Sequence, residues 1–287
     1  MPNFTFSRYG IDPHTGFLSP EPPLRRLSGE YEQWEILLDQ AKNNFVHTGP
    51  SPEITLKQRA FGCMWRKRVR KVHVLAIRLT PNGISHHVLM FAFLLKMRVL
   101  DCSNISDDTR KVQRAHHTLS FLTQFFVHSL PPRDPSKATD PIVIPASIAI
   151  PFVDVSRQLG IAPIVTYADT VLWNWDIIDH NLPLSRSNIR IRDLFTGSPQ
   201  EEHFFLTSAR IEIEGWNALD AIRQSLTEAA APNPRIEIVA YHLRRLARSL
   251  DIITEILLAV RDGLDPDFFY NRFRPVSAPG NFTSDCD

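Results

Sequence analysis

Cysteine is scarce in this chain: Cys63, Cys102 and Cys286 are the only three among 287 residues, with no short spacing between them. A small, odd, scattered set provides neither a disulfide framework nor a Cys-rich zinc site, and it suits a reducing compartment. Net charge is nearly absent too. The 32 Lys and Arg residues balance 31 Asp and Glu to a formal charge of +1. No global positive field gathers phosphates, so no nucleic-acid partner is expected. No apolar run reaches the roughly 18 residues that a membrane span requires, so no membrane partner is expected either. The opening Met1-Pro2-Asn3-Phe4-Thr5 lacks the basic-then-apolar order of a signal peptide. The expected compartment is the cytosol.

Catalytic signatures that spacing alone can reveal are missing as well. There is no Walker loop, dinucleotide glycine fingerprint, Gly-x-Ser-x-Gly elbow or His-Glu-x-x-His. The adjacent pairs His86-His87 and His116-His117 cannot place both rings on one helical face, which argues against zinc. Glu212 and Glu214 point to different sides of a helix and read as solvated or salt-bridged, not as an acid/base couple. His242 reads as a partly exposed surface histidine.

What is present is a globular composition, 43% hydrophobic and 22% charged, long enough for one large domain or two modest ones. Residues 1–30 form a proline-punctuated lead-in. Trp34, Leu37, Leu38 and Ala41 recur at helical spacing and predict a helix over residues 31–45, with a second over 54–72. Residues 72–97 have no stable period, and Val74-Leu75 at their entry is nearly echoed by Val99-Leu100 at their exit. They read either as an insertion, such as translated intron, or as a hydrophobic core helix. A helix is expected from Asp107, whose carboxylate with that of Asp108 suits the positive end of the dipole.

Residues 131–151 carry Pro131, Pro132, Pro135, Pro141, Pro145 and Pro151. Each proline removes a donor and fixes a dihedral, predicting a stiff connector and a domain boundary. Beyond it, helices are predicted over 152–160, 163–175, 204–230 and 234–262. In the last, Leu243, Leu246, Leu250, Ile253, Leu257 and Val260 make a three-and-four stripe that predicts bundle packing, with Arg244, Arg245 and Arg248 turned to solvent. The expected organisation is a small domain over 1–130, the linker 131–151, and an all-α domain over 152–287.

Three segments carry chemistry. Tyr167, Thr170 and Val171 share one face at helical spacing. Phe204 and Ser208 lie four apart, placing a hydroxyl beneath an aromatic ring, with Phe205 alongside. Phe269 and Arg274 close the set as an aromatic wall beside a guanidinium. Each is compatible with core packing by itself. Together they offer aromatic walls, one hydroxyl and a carboxylate clamp without an acid/base histidine, which suits binding an aromatic amino acid while a cofactor performs the reaction.

Several blocks in order resemble the indoleamine 2,3-dioxygenase family, with a fungal character. They are Ser7-Arg8-Tyr9-Gly10 with Thr15-Gly16-Phe17-Leu18, Ile148-Ala149-Ile150-Pro151, Tyr167-Ala168-Asp169, Phe195-Thr196-Gly197-Ser198 with Phe204-Phe205, and Asp265-Pro266 through Arg274-Pro275. The resemblance implies a mainly α protein, a small N-terminal domain capping a large all-α domain that binds haem b. It implies insertion of dioxygen across the indole C2–C3 bond of L-tryptophan, giving N-formylkynurenine, by a monomeric enzyme.

By the same resemblance, Tyr167, Thr170, Val171, Phe204 and Phe205 line the indole pocket and Ser208 sits near the distal haem ligand. Phe269 packs on the indole and Arg274 pairs with the substrate carboxylate. Oxygen chemistry on ferrous haem then explains the absence of a general base. After Arg274-Pro275 the sequence departs from the family pattern. The family's glycine-rich closing loop and the helices bearing its proximal histidine are not matched by any segment here. The expectation is a C-terminally truncated member with an incomplete all-α domain, and the alternative function is an inactive fragment or helical interaction module.

Overall fold

Helices dominate the computed structural model, which describes residues 6, 10–44, 56–70, 97–131, 141–277 and 282–284. The mainly α expectation holds. Residues 72–96, with their His86-His87 pair, and the Ser7-Arg8-Tyr9 block lie outside the described residues, as do positions 132–140 of the proline-rich stretch. The chain divides into two units, Leu24–Thr166 with Tyr270–Asp287, and Met1–Pro23 with Tyr167–Phe269.

The unit containing Leu24–Thr166 is built on four helices: α1 (Glu32–Asn43), α2 (Leu56–Arg70), α3 (Thr109–His128) and α4 (Ala146–Leu159). The α1 stripe of Trp34, Leu37, Leu38 and Ala41 is buried, as its spacing requires. Trp65 of α2 is fully buried and donates its indole N–H to the Leu37 carbonyl at 3.0 Å, satisfying a group that would be costly to bury unpaired. Asp108 caps α3 by accepting from the Arg110 and Lys111 amides. Within α3, His116 meets Phe152 in a tilted contact at 4.9 Å and His117 stacks on Phe121 at 4.6 Å, and both rings are buried in the core. The Arg114 guanidinium grips the Glu35 carboxylate with two bonds, Nε–Oε1 at 2.9 Å and Nη2–Oε2 at 2.6 Å, both side chains buried. The Leu27 amide donates to the same carboxylate at 2.9 Å.

Helix α4 starts six residues earlier than the sequence reading, at Ala146 instead of Phe152. Residues 146–151 are therefore helical and not extended. The Pro145 carbonyl opens the helix, accepting from Ile148 and Ala149. Pro151 lies inside the helix, at its sixth residue, where its ring removes the amide that would bond the Ser147 carbonyl. Gly160 closes α4 at φ +68°, a conformation that favours glycine. Ile142–Ile144 pairs in parallel with Phe282–Ser284, and the short helix Arg274–Ser277 packs on α3.

The other unit rests on a helical pair, α5 (Pro199–Ala229) and α6 (Ile236–Leu258), followed by a tight turn over Ala259–Asp262. The helix predicted over 163–175 is a correction: only a π-helical turn, Ala168–Leu172, forms there. The cause is Asn174, fully buried. Its side-chain amide donates to the Thr170 and Asp193 carbonyls at 3.2 and 2.7 Å and accepts from the Asp193 amide at 2.9 Å. These bonds draw the chain out of the helix into Trp175–Asp176, which pairs antiparallel with Arg190–Ile191.

A second correction concerns α6. Among its described residues only His242 and Ser249 are buried, while Leu243, Leu250 and Leu257 are each more than half exposed. The face toward α5 is the one bearing His242 and Arg245, whose Nη2 reaches Asp220 of α5 at 3.2 Å. His242 is thus an interhelical residue and not a surface one, and Arg245 is turned inward to a partner while Arg244 and Arg248 face solvent.

Candidate functional site

The start of α5 sets the position of the aromatic residues. Ser198 caps the helix, accepting from the Gln200 amide at 3.2 Å, and Pro199 occupies the first helical position. Three residues after the cap, Glu201 turns back on the preceding loop. It accepts from the Phe195 and Thr196 amides, each at 2.7 Å, and from the Thr196 hydroxyl at 2.6 Å. Burial pushes its carboxyl up to about 7, although the surrounding donors favour the ionised form. The Phe195-Thr196-Gly197-Ser198 block is therefore the architecture of a helix start, and the Ser-x-x-Glu spacing of a capping box was its readable signal.

One turn later, Phe204 and Phe205 follow at centroids 6.0 Å apart. Phe205 is buried and Phe204 half-buried, because consecutive helical residues point about 100° apart. Phe269 comes up to Phe204 at 5.4 Å in a tilted arrangement, within the range in which aromatic pairs attract. Its approach is fixed by a second cap. Asp265 accepts from the Asp267 amide at 2.7 Å ahead of Pro266, and its own amide donates to Gln200 of α5 at 2.8 Å. Phe204, Phe205 and Phe269 thus form one cluster.

A polar relay lies further along α5. The Tyr167 hydroxyl donates to Glu212 Oε1 at 2.7 Å, and Ser208 hydrogen-bonds to the same phenol. Burial of that hydroxyl, reinforced by the Glu212 carboxylate, pushes the phenol above its ordinary range, even though the residue as a whole is 48% exposed. Glu212 is the residue the sequence reading undervalued: nothing in its spacing from Tyr167 announces the bond. Its backbone also receives the Asp12–Gly16 turn. Gly16 sits at φ +68°, and a Cβ there would lie 2.2 Å from the Glu212 carbonyl oxygen, so glycine alone fits.

The π-helical turn separates residues that a regular helix would align. Tyr167 is exposed, Thr170 half-buried with its hydroxyl toward the Tyr167 carbonyl at 3.4 Å, and Val171 is buried. The expected single face of Tyr167, Thr170 and Val171 is not formed. Arg274 is grouped with the Leu24–Thr166 unit, exposed, its guanidinium 5.6 Å from the centre of the Tyr270 ring, a cation–π distance.

Histidines in the unit bearing the aromatic cluster are engaged or exposed. His203 Nε2 meets the Ala259 carbonyl at 3.1 Å, His242 Nδ1 meets Arg245 at 3.3 Å, and His14 and His180 lie on exposed turns. Among the described residues no group of three His, Cys, Asp or Glu side chains converges as a metal site, and no helix is long and apolar enough to cross a membrane.

Comparison with known proteins gives this arrangement a lineage. The sequence model of indoleamine 2,3-dioxygenase matches residues 5–282. Indoleamine 2,3-dioxygenase 2 of Homo sapiens is 34% identical over 194 residues, covering 68% of this chain and 46% of its own length. The indoleamine 2,3-dioxygenase of Saccharomyces cerevisiae is 26% identical over 279 residues, 94% of this chain and 51% of the relative. A 6-hydroxytryptophan 2,3-dioxygenase of Fusarium equiseti is 28% identical over 270 residues, 93% and 54% respectively. The chain spans about half the length of these curated relatives. With nearly all of its sequence matched, the chain belongs to the indoleamine 2,3-dioxygenase family.

Proposed function

We propose that this protein is a cytosolic haem-dependent dioxygenase that opens the indole ring of L-tryptophan to N-formylkynurenine, and that this chain supplies the substrate-facing wall. The observation that carries the reading is the cluster of Phe269 with Phe204 and Phe205, the latter two on a helix whose next turns bear Ser208 and Glu212. Flat apolar faces bind an indole by stacking, and the adjacent hydroxyls orient it without a proton-transferring histidine. Val171 adds a buried aliphatic surface, while the roles of Tyr167, Thr170 and Arg274 rest on the family resemblance.

Family membership implies haem b, and its fit to this chain is one-sided. The aromatic cluster suits a substrate wall, but no histidine described in its unit presents a free axial ligand: His203 and His242 are committed to neighbours, and His14 and His180 lie on exposed turns. A proximal imidazole is therefore required from outside the described residues. This chain's residues bind and orient the amino acid and exclude water from its ring.

Hemin added to the expressed chain, followed by dithionite, tests the proposal by absorption spectroscopy. With imidazole supplied in solution as the axial ligand, a ferrous imidazole-type Soret band with tryptophan turnover is the expected outcome, and the featureless absorbance of free hemin overturns it. A second reading, a helical interaction module without catalysis, is favoured by one observation, the exposed leucines of α6. Parallel assays with L-tryptophan and a ring-hydroxylated tryptophan separate the substrate named for the fungal relative from the one proposed here.

A further inference from the structure

The first turns of α5 grip the segment that carries Phe269 at three points along one face. Gln200, His203 and Phe204 stand three and four residues apart, so their side chains leave the helix together. Gln200 accepts the Asp265 amide at 2.8 Å. His203 Nε2 lies 3.1 Å from the Ala259 carbonyl oxygen. A carbonyl only accepts, so Nε2 carries the proton and donates it to that bond. Phe204 then meets Phe269 at 5.4 Å.

Gly263 shows how closely the middle contact is built. A Cβ there would lie 2.7, 2.8 and 2.9 Å from Cδ2, Cγ and Nε2 of the His203 ring. Its φ of −121° is negative and available to residues with a side chain, so glycine is needed here for space and not for conformation. The imidazole thus rests on the chain at Gly263 while it is bonded to Ala259 on the preceding turn. Two residues after Gly263, Asp265 is held by Gln200, and the Asp265 carbonyl accepts from the Phe269 amide at 2.9 Å.

We propose that His203 is a positioning residue of the aromatic wall. By seating residues 259–265 on α5, it sets the approach of Phe269 to Phe204, and with it the ring that the wall accepts. The choice of ring, unlike the placement of Phe269, rests on the dioxygenase reading above. A shorter side chain at 203 frees the segment to move away from α5, which widens the wall and admits a bulkier indole.

Fluorine NMR of the full chain with 4-fluorophenylalanine at position 269 reads the placement without haem or substrate. Phe204→Leu in the labelled chain marks the part of the chemical shift that the neighbouring ring supplies. His203→Ala is expected to lose that part, with helix content unchanged by circular dichroism. His203→Gln is expected to keep it, because the glutamine amide can donate to Ala259 in place of Nε2. Gly263→Ala, which displaces the imidazole from the opposite side, is expected to move the resonance as His203→Ala does. Combining the two changes moves it no further, since the new methyl enters the vacated space. A resonance that stays in place in His203→Ala, or effects of the two changes that simply add, overturns the proposal. Should His203→Ala lose helix, Gly263→Ala decides by the same readout.

Selectivity is read after hemin and imidazole are added. The ratio of kcat/KM for L-tryptophan over 6-hydroxytryptophan is expected to fall at least about tenfold in His203→Ala, through KM, and to recover in His203→Gln. A moved resonance with that ratio unchanged overturns the choice of ring. A parent chain without turnover contradicts the dioxygenase reading instead, and the fluorine resonance still decides whether His203 positions Phe269.

Discussion

Helices α3 and α6 look alike as sequences, each with an apolar stripe at helical spacing, yet their surroundings treat them oppositely. In α3, 14 of 20 residues are buried, polar ones such as Arg114, Thr118 and both histidines included. In α6, 2 of 23 are buried, and neither is a leucine. Amphipathicity shows that a helix has a face to cover; the number of neighbours decides whether it is covered. Helix α3 packs against α1, α4 and the short Arg274–Ser277 helix within its unit, whereas α6 packs chiefly on α5, with Leu246, Ile253 and Ile256 only half-buried beside the buried His242 and Ser249.

That contrast is sharpest for the buried ion pair. Arg114→Leu leaves the Glu35 carboxylate buried with its main partner gone, and the expected loss is about 3–5 kcal/mol of folding stability. Urea denaturation followed by tryptophan fluorescence measures it. A loss under about 1 kcal/mol would show that water reaches Glu35 and that the core around α3 is looser than described.

Matched truncations test the comparison next. Leu122→Ala in α3 removes a fully buried side chain and is expected to cost about 2–5 kcal/mol. Leu250→Ala in α6, at a position 51% exposed, is expected to cost less than about 1 kcal/mol. Equal losses in the two variants would contradict the assignment of exposed and buried stripes.

At the Asp12–Gly16 turn, Gly16→Ala meets both a positive φ and the Glu212 carbonyl. A loss of about 2 kcal/mol or more is expected, read as a lowered melting temperature. An unchanged melting temperature would mean that the turn does not rest on α5.

The smallest effect is a pH dependence. Burial raises the folded Glu201 carboxyl to about 7 from an ordinary value near 4.5. The folded state then holds its proton more tightly than the unfolded chain, so the contribution is complete below about pH 4.5 and declines as pH rises toward 7. Glu201→Gln flattens this slope and lowers stability by about 1–3 kcal/mol throughout, since an amide NH2 cannot accept from the backbone donors it would face. A slope that persists in the variant assigns the titration to another group.

Much of the fold was legible because local rules and tertiary context agreed. Asp107-Asp108 announced the start of α3, Gly160 the end of α4, and the Trp34–Ala41 spacing the buried stripe of α1. The rest required partners distant in sequence. Nothing local to residues 163–175 foretells that Asn174 will bond Asp193, nineteen residues on, and so reduce a helix to one π-helical turn. Prolines near 145–151 suggested an extended connector because their cost is local and visible, whereas the packing that stabilises α4 is not. At the site, the Phe204–Phe269 approach followed the resemblance and the Ser198-x-x-Glu201 spacing carried the capping signal, but the Tyr167–Glu212 bond, forty-five residues apart, had no local signature.

The central claim is that the Phe204–Phe205–Phe269 cluster holds an indole ring for dioxygenation. Its most direct test is N-formylkynurenine formation from L-tryptophan by the reduced chain reconstituted with hemin and with imidazole as the axial ligand, compared with Phe204→Ala at equal hemin occupancy. The account predicts product from the parent chain and a loss of at least about tenfold in the variant, as removal of a stacking wall implies. Hemin-loaded protein that forms no product, or forms it equally well without the Phe204 ring, would contradict it.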